Sequence, residues 1–375
     1  MQNATDTYQK LASHLDNLPG GYPPSESGVE LRILRRLFSP DEAELALHVS
    51  LLPEAARVIA SRARIRPDDA TRRLAEMARK GLIYELPEKG ALKYAAAQFV
   101  IGIWELHVDD LDPELIRDFN EYLPTLAREA LRFPQLRTIP VNRSLDARLT
   151  VMPYDNAEKL VGKARKILVA PCICRRERHI AGEGCSAPEE ACLIFDIGAD
   201  LYERKGLGRL IAREEALAVL ARAEEAALVL QPGNSQAPMN ICCCCGCCCG
   251  VLRSIKPYPN PAALVASSFV ASFNPDECNT CGECLERCQM GALRLEAGAI
   301  DLNRGRCIGC GLCVSTCPTG SLTLARKPES EQPKVPKNGI ASLMELGKAR
   351  GKLGPADLAL MIVKSKLDRL RAAIR

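Results

Sequence analysis

The segment NICCCCGCCCG at residues 240–250 contains seven cysteines within eight consecutive positions. A hydrophobic core does not require so many thiols, because alanine or valine packs as well and does not oxidise. Most neighbouring pairs also lack disulfide geometry, since successive side chains of an extended chain point in opposite directions. The chain has an odd total of 19 cysteines and no basic, apolar secretory start. We therefore expect a reducing compartment, where clustered thiols bind a soft metal or an iron–sulfur cluster.

Two later cysteine runs have a more specific spacing. CNTCGECLERC begins at Cys278 and CIGCGLCVSTCP begins at Cys307. Both follow the C-x2-C-x2-C-x3-C pattern of bacterial two-cluster ferredoxins, in which the fourth cysteine of each run binds the other cluster. Gly282, Gly309 and Gly311 let the chain turn tightly enough for three thiolates to converge. The pattern predicts two 4Fe-4S clusters, with ligands Cys278, Cys281, Cys284 and Cys317 for one and Cys307, Cys310, Cys313 and Cys288 for the other.

Zinc is the alternative for these two runs, because paired C-x2-C knuckles also bind zinc. The triple spacing, present twice, favours iron–sulfur clusters. One position departs from the ferredoxin pattern, since Gln289 follows Cys288 where the pattern has proline. This change affects the loop and leaves the number of ligands unchanged.

Eleven cysteines lie outside the two runs, four of them in an earlier segment and seven in the segment 240–250. Arg175 and Arg176 lie close to the earlier ones in sequence, and they either stabilise thiolates and an anionic cluster or form a solvated face. In one arrangement each set holds its own centre. In the other, which we favour because both sets flank one helical segment, they fold together around one cluster or one larger non-cubane assembly. The earlier set is Cys172, Cys174, Cys185 and Cys192.

These segments together resemble a family of 4Fe-4S dicluster iron–sulfur proteins of the bacterial ferredoxin type with an additional Cys-rich domain. The family pattern has a CxCR segment, a later cysteine, CL.F and NxCCxCCC ahead of the ferredoxin runs, and the resemblance covers about Val151 to Leu324. It implies iron–sulfur binding and an oxidoreductase context without naming a substrate. Asparagine is usual in the family at the position of Cys243, so the resemblance leaves Cys243 outside the ligand set. The ligands it implies in the segment 240–250 are Cys242, Cys244, Cys245, Cys247, Cys248 and Cys249.

The N-terminal region has the helix and strand pattern of a winged helix. ELRILRRLF has helical apolar spacing, and SPDE predicts a second helix with Ser39 and Glu42 as a capping box. RPDDATRRLAEMARKG predicts a third helix, capped by Asp68 or Asp69 and ended by Gly81. LIYEL, PEKG and ALKYAAAQFV then predict a strand, a turn and a strand.

Further patterns complete the predicted organisation as an α+β fold. They include a helix around 156–166, the strand KILVA, a helical run from Arg213 through REEALAVLARAEEAALVL that ends at QPGN, and paired ferredoxin strands ALRLE and AIDLN. The predicted regions are a flexible lead-in (1–25), a winged-helix-like domain (26–100), a helical connector (101–150), a Cys-rich α/β iron–sulfur domain (151–256), a two-cluster ferredoxin domain (268–326), and a linker with a basic helical tail (327–375).

Composition narrows the functional classes. The chain of 375 residues has 47% hydrophobic residues and a net charge of +4, so several cores are expected and no strong bias toward nucleic acid or membrane is indicated. The longest apolar stretch is too short for a membrane span, and we expect a cytoplasmic protein. KGLGRL lacks the preceding strand and the third glycine of a dinucleotide-binding motif, which argues against a nicotinamide or flavin site. No catalytic residue is predicted.

Three functions fit these features. The first is an electron carrier that exchanges electrons with a redox partner protein through its clusters. The second is a redox-sensing transcriptional regulator, but Asp68 and Asp69 at the start of the recognition helix oppose DNA, so specific DNA binding is not expected. The third is a reductase with a catalytic cluster at the Cys-rich site. The sequence leaves the oligomeric state open, and a homo-oligomer is compatible with it.

Overall fold

The computed structural model describes residues 2–88 and 90–374, which form a mixed helix and sheet structure. None of the described helices is both long enough and apolar enough to cross a membrane. In chain order, the α-helices are α1 (Gln2–Asp16), α2 (Val29–Leu37), α3 (Pro40–Ala46), α4 (Ala56–Ala63), α5 (Pro67–Lys80), α6 (Pro113–Ala130), α7 (Ala157–Lys163), α8 (Ile173–Ile180), α9 (Ile197–Lys205), α10 (Arg213–Glu225), α11 (Gly250–Ile255), α12 (Glu283–Arg287), α13 (Gly339–Ala349) and α14 (Pro355–Ile374).

The strands form one five-stranded sheet and three two-stranded sheets within the described residues. The large sheet has the order β5-β3-β4-β7-β6, and the small sheets pair β1 with β2, β8 with β11 and β9 with β10. The strands are β1 (Ile83–Glu88), β2 (Ala91–Ala96), β3 (Ile167–Pro171), β4 (Glu190–Phe195), β5 (Arg209–Leu210), β6 (Val229–Pro232), β7 (Asn240–Cys244), β8 (Phe269–Phe273), β9 (Leu293–Glu296), β10 (Ala299–Leu302) and β11 (Leu322–Arg326).

The chain divides into two compact units. The first unit comprises Met1–Phe133, Asp200–Leu207 and Leu343–Arg375. The second comprises Pro134–Ala199 and Gly208–Ser342 and contains all of the cysteines. Both chain ends therefore fall in the first unit, a grouping that the predicted regions did not anticipate.

The first unit begins with a helix where we expected a flexible lead-in over residues 1–25. Tyr8, Leu11 and Leu15 of α1 are each at most 5% exposed. Their spacing of three and four residues places them on one helical face. The expected lead-in is wrong, because this apolar face buries the helix despite its polar composition.

Helix ends in the first unit confirm two predictions and correct a third. Ser39 and Glu42 form the predicted capping box at α3, and Gly81 ends α5 with a φ of 87°, a conformation that favours glycine. Asp68 and Asp69 do not cap α5, whose N-cap is Arg66 without a side-chain hydrogen bond. Pro67 at the first helical position moves the start of the helix ahead of both aspartates.

The hairpin is confirmed and the number of preceding helices is corrected. Strands β1 and β2 pair in an antiparallel register from Ile83 opposite Ala96 to Glu88 opposite Ala91. Within residues 26–100, four helices, α2 to α5, precede the hairpin where we expected three. The additional helix α4 has only 8 residues. A helical apolar pattern is difficult to recognise in so short a segment.

The five-stranded sheet carries the Cys-rich region of the second unit. All of its strand pairs are antiparallel, and Leu168, Val169 and Ile241 are fully buried in it. Two expectations need correction. The helical run expected to reach QPGN ends at Glu225, and residues 229–232 form β6. The segment 240–250 is not a single loop, because residues 240–244 form β7 against β4 and β6.

The ferredoxin segment has the predicted hairpin. β9 and β10 are antiparallel with Leu293 opposite Leu302, and β11 pairs with β8. Arg287, next to a predicted ligand, donates hydrogen bonds to the carbonyls of Glu224 and Glu225 at 2.7 and 3.0 Å. These carbonyls lie at the C-terminal end of α10, where a cation is favourable. Arg287 thus attaches the ferredoxin segment to the Cys-rich region within one unit.

Candidate metal centres

The structure gathers the ferredoxin cysteines into two sets, each combining both runs. The charges acting on Cys284 come from Cys281, Cys278 and Cys317. Those acting on Cys313 come from Cys310, Cys307 and Cys288 and also from Cys284 of the first run. The neighbours of Cys284 and Cys313 thus include the cysteines that the ferredoxin spacing assigns to each set, three from one run and the fourth from the other. Burial raises the pKa of Cys284 and raises that of Cys310 to about 12, so binding of a metal must offset the cost of ionising these thiols.

Local features around these thiols fit iron–sulfur clusters. One cavity is lined by all four thiols of the second set, Cys288, Cys307, Cys310 and Cys313. Backbone amides donate to thiol sulfurs, including Ala292 N to Cys288 at 3.1 Å and Ala271 N to Cys307 at 3.3 Å. Such N–H to sulfur bonds stabilise the thiolate charge and tune a bound cluster. An apolar core that includes Val270, Ala292, Leu293 and Ile300 packs around the cysteines.

Gly309 in the second run is required by two independent constraints. Its φ is 70°, and a Cβ at this position would lie 2.2 Å from the carbonyl oxygen of Phe269. Gly320 also has a positive φ, of 73°, but nothing lies within 4 Å of its Cβ position. A residue with a Cβ would therefore be strained at both positions, and only Gly309 also has a close approach.

Six of the eleven remaining thiols form a closed ring. Each lies within hydrogen-bonding reach of two others, in the order 172, 174, 249, 244, 242, 192 and back to 172. Hydrogen bonds from the neighbouring thiols lower the pKa of alternate members. The ring consists of Cys172, Cys174, Cys192, Cys242, Cys244 and Cys249.

The strand registers explain how the ring forms. Cys192 on β4 lies directly opposite Cys242 on β7. Cys244 follows two residues along β7 and thus shares its face with Cys242. Cys172 is the N-cap of α8 at the end of β3, and Cys249 is the N-cap of α11. Strand ends and helix starts from both cysteine sets therefore meet on one face of the sheet.

The four other clustered thiols form a second, tighter group. Their sulfurs all lie within 4.8 Å of one another. Hydrogen bonds from the Ala187 amide and from the three neighbouring thiols outweigh burial and lower the pKa of one member, Cys185, to about 7. This group consists of Cys185, Cys245, Cys247 and Cys248.

The two groups of thiols can be compared with the two arrangements expected from the sequence, separate centres or one shared centre. Both cysteine sets contribute to both groups, so neither set alone forms a group. The thiols nevertheless divide into two groups, where we favoured one shared centre. Cys185 separates from its sequence neighbours and joins the later segment. Cys243 faces the opposite side of β7, and burial raises its pKa to about 12.

The two predicted cofactor-binding arginines have different environments. Arg175 is fully buried and donates to the carbonyls of Pro188 and Cys243. Although burial alone would lower its pKa, the charges of Cys172, Cys245 and Cys244 raise it. Among the described residues, no partner accepts from its buried Nε. Arg176 instead donates to the Glu189 carboxylate at 2.6 Å, so its charge is paired with a carboxylate near the surface.

Sequence reasoning missed a contact between the Cys-rich segment and the ferredoxin segment. The backbone N–H of Gly246 donates to the side-chain oxygen of Gln289 at 2.7 Å. A Cβ at Gly246 would lie 2.4 Å from the carbonyl oxygen of Gln289. Two sequence signals mark this contact: glutamine replaces the proline of the pattern, and a glycine interrupts the cysteines.

Comparison with known proteins supports the ferredoxin segment. Residues 270–332 match the family model described as the 4Fe-4S dicluster domain. No curated protein and no solved structure matches the chain. The resemblance to a ferredoxin-type iron–sulfur domain is confirmed for this segment. The matched residues do not include the preceding Cys-rich region.

We predict that Gly309→Ala destabilises the protein more than Gly320→Ala. A positive φ costs a non-glycine residue roughly 1–2 kcal/mol, and the overlap with Phe269 at Gly309 adds about 1–3 kcal/mol. Thermal unfolding without oxygen, followed by circular dichroism, compares the two variants. Equal shifts in melting temperature would show that the close approach at Gly309 relaxes without cost.

Proposed function

We propose that the protein is an iron–sulfur electron-transfer protein that passes electrons to or from a partner oxidoreductase. The observation that carries this proposal is the lining of one cavity by Cys288, Cys307, Cys310 and Cys313, three thiols of one run and the fourth of the other, within a segment that matches a dicluster family. The proposal assigns one 4Fe-4S cluster to Cys278, Cys281, Cys284 and Cys317, and a second to Cys307, Cys310, Cys313 and Cys288.

The residues of this chain supply the surroundings of these clusters. When bound, 4Fe-4S clusters supply one-electron transfer. The apolar core around the cysteines limits contact with water, and backbone amides stabilise the thiolate sulfurs. The shared use of both runs holds the two sets close together, which suits electron transfer between them.

The six-thiol ring is assigned to a further iron–sulfur cluster. Arg175 supports this assignment, because a buried cation needs a compensating negative charge, and the nearby thiols provide it when ionised. The unpaired Nε of Arg175 leaves a donor for a cluster sulfide. Six thiols exceed the four that a cubane uses, which favours a larger, non-cubane assembly.

The helices α2 to α5 and the hairpin β1–β2 are assigned to a winged-helix-like unit that docks a protein. Arg72, Arg73, Arg79 and Lys80 of α5 are the cations that could contact DNA phosphate. Three of them have carboxylate partners: Arg72 lies 2.6 Å and Arg73 3.6 Å from Asp69, and Lys80 lies 2.5 Å from Glu42. Phosphate would have to displace these partners, which weakens the electrostatic basis of DNA binding.

The two ferredoxin sites are tested by alanine substitution in the full chain. We predict that Cys284→Ala and Cys317→Ala remove the same cluster, about four irons, and that Cys288→Ala and Cys310→Ala remove the other. Iron and sulfide analysis with low-temperature paramagnetic spectra of the reduced protein measures this. If variants within a pair lose different clusters, the crossed assignment is wrong, and bound zinc in place of iron would refute the cluster assignment itself.

The ring is tested by one variant from each cysteine set. Cys192→Ala and Cys244→Ala should each remove the same iron, beyond the roughly eight irons of the ferredoxin segment. Cys243→Ala is the matched control, because Cys243 lies on the same strand outside both groups, and it should retain that iron. Separate losses from the two variants would indicate two centres, and unchanged iron would exclude the ring as an iron site.

DNA binding is tested on the full chain by selection from a random duplex library. We predict weak binding that falls with salt and selects no sequence, as expected from phosphate contacts alone. Recovery of one preferred palindrome at physiological salt would instead support a transcriptional regulator.

A further inference from the structure

The geometry of the four-thiol group differs from that of an iron–sulfur cluster. The sulfur of Cys185 lies 3.7 Å from that of Cys245 and 3.6 Å from that of Cys248. The sulfurs of Cys247 and Cys248 are 3.8 Å apart. A single metal ion with sulfur ligands at about 2.3 Å in a tetrahedron places those sulfurs about 3.8 Å apart. These three separations therefore match one ion at the centre of the group, and the other pairs lie within 4.8 Å.

A two-iron or a cubane cluster requires wider spacing among its four thiolates. In a two-iron cluster each iron binds its own pair of thiolates, so the two pairs are separated by the irons between them. In a cubane every thiolate binds a different iron, and all four spread outward. In the four-thiol group all four sulfurs lie within 4.8 Å of one another, a compactness that leaves room for a single ion.

A contact with His179 positions the segment that carries Cys185. His179 Nε2 lies 2.8 Å from the carbonyl oxygen of Cys185. Gly184 permits this contact, since a Cβ there would overlap the His179 ring. Three of the thiols follow β7 within four residues, and one of these, Cys247, is exposed. The group thus joins two irregular segments at the protein surface, where an ion can enter.

We propose that Cys185, Cys245, Cys247 and Cys248 form a site for a single tetrahedral metal ion of the thiolate-binding class, zinc or iron, distinct from the six-thiol ring. Zinc would hold the segment around Cys185 to the turn after β7. Its role would be structural, since zinc has no redox chemistry. Iron would add a redox site beside the ferredoxin segment, because Gly246 within this turn hydrogen-bonds Gln289, the residue after Cys288.

The test uses the full chain purified without oxygen and measures iron, zinc and inorganic sulfide per chain. Cys247→Ser and Cys185→Ser should each remove about one metal ion and leave the sulfide content unchanged, because a single ion brings no inorganic sulfide. Cys247 is exposed, so its substitution leaves the core intact. Cys247→His should retain the ion, because histidine is also a ligand for such metals. Cys243→Ala is the control and should lose nothing.

The identity of the lost metal decides between zinc and iron, and either one supports a single-ion site. Loss of several irons together with sulfide would overturn the proposal and show a cluster at this group. Unchanged metal content in both serine variants would overturn it as well. Total sulfide per chain is measured in the same samples, so an unsubstituted chain without sulfide, which would contradict the electron-transfer proposal, remains distinguishable from a failure of this one.

Discussion

The antiparallel register that sets Cys192 opposite Cys242 is the constraint on which the Cys-rich region depends. Side chains alternate between the two faces of a strand, so this register places Cys242 and Cys244 on one face and Cys243 on the other. A slip of one residue would reverse all three. The buried neighbours Leu193 and Ile241, which also pair across this register, hold it in place. Hydrophobic packing of the sheet thus fixes where the thiols meet.

Charge is the second constraint, because thiols that bind metal must ionise in a buried site. Arg175 lies among them with its guanidinium fully buried. It extends from the helix that begins next to Cys172, and it also donates to the carbonyl of Cys243 on β7. One side chain therefore provides positive charge and connects α8 to β7, the strand that carries Cys242 and Cys244 of the ring.

The sequence predicted those parts of the protein that depend on short-range spacing. The ferredoxin runs, the hairpin of β9 and β10, the capping box at Ser39 and the stop at Gly81 all follow from local patterns. The division of eleven thiols into a group of six, a group of four and the separate Cys243 did not, because it depends on strand register and on a segment around Cys185 that has no regular structure. The contact of Gln289 with Gly246 is also long-range, and only the departure from the usual proline and the glycine among the cysteines marked it. Helix α1 was missed because its three buried residues are spread through a polar segment.

The central claim is that the chain binds an iron–sulfur cluster in addition to those of its ferredoxin segment. The most direct measurement is iron and inorganic sulfide per chain in the full protein purified without oxygen, with Mössbauer spectra of the same sample. The account predicts iron and sulfide above the roughly eight of each that two cubanes hold, with spectral components beyond those of 4Fe-4S cubanes. A sample fully loaded in its ferredoxin segment that contained no iron or sulfide beyond that number would contradict it.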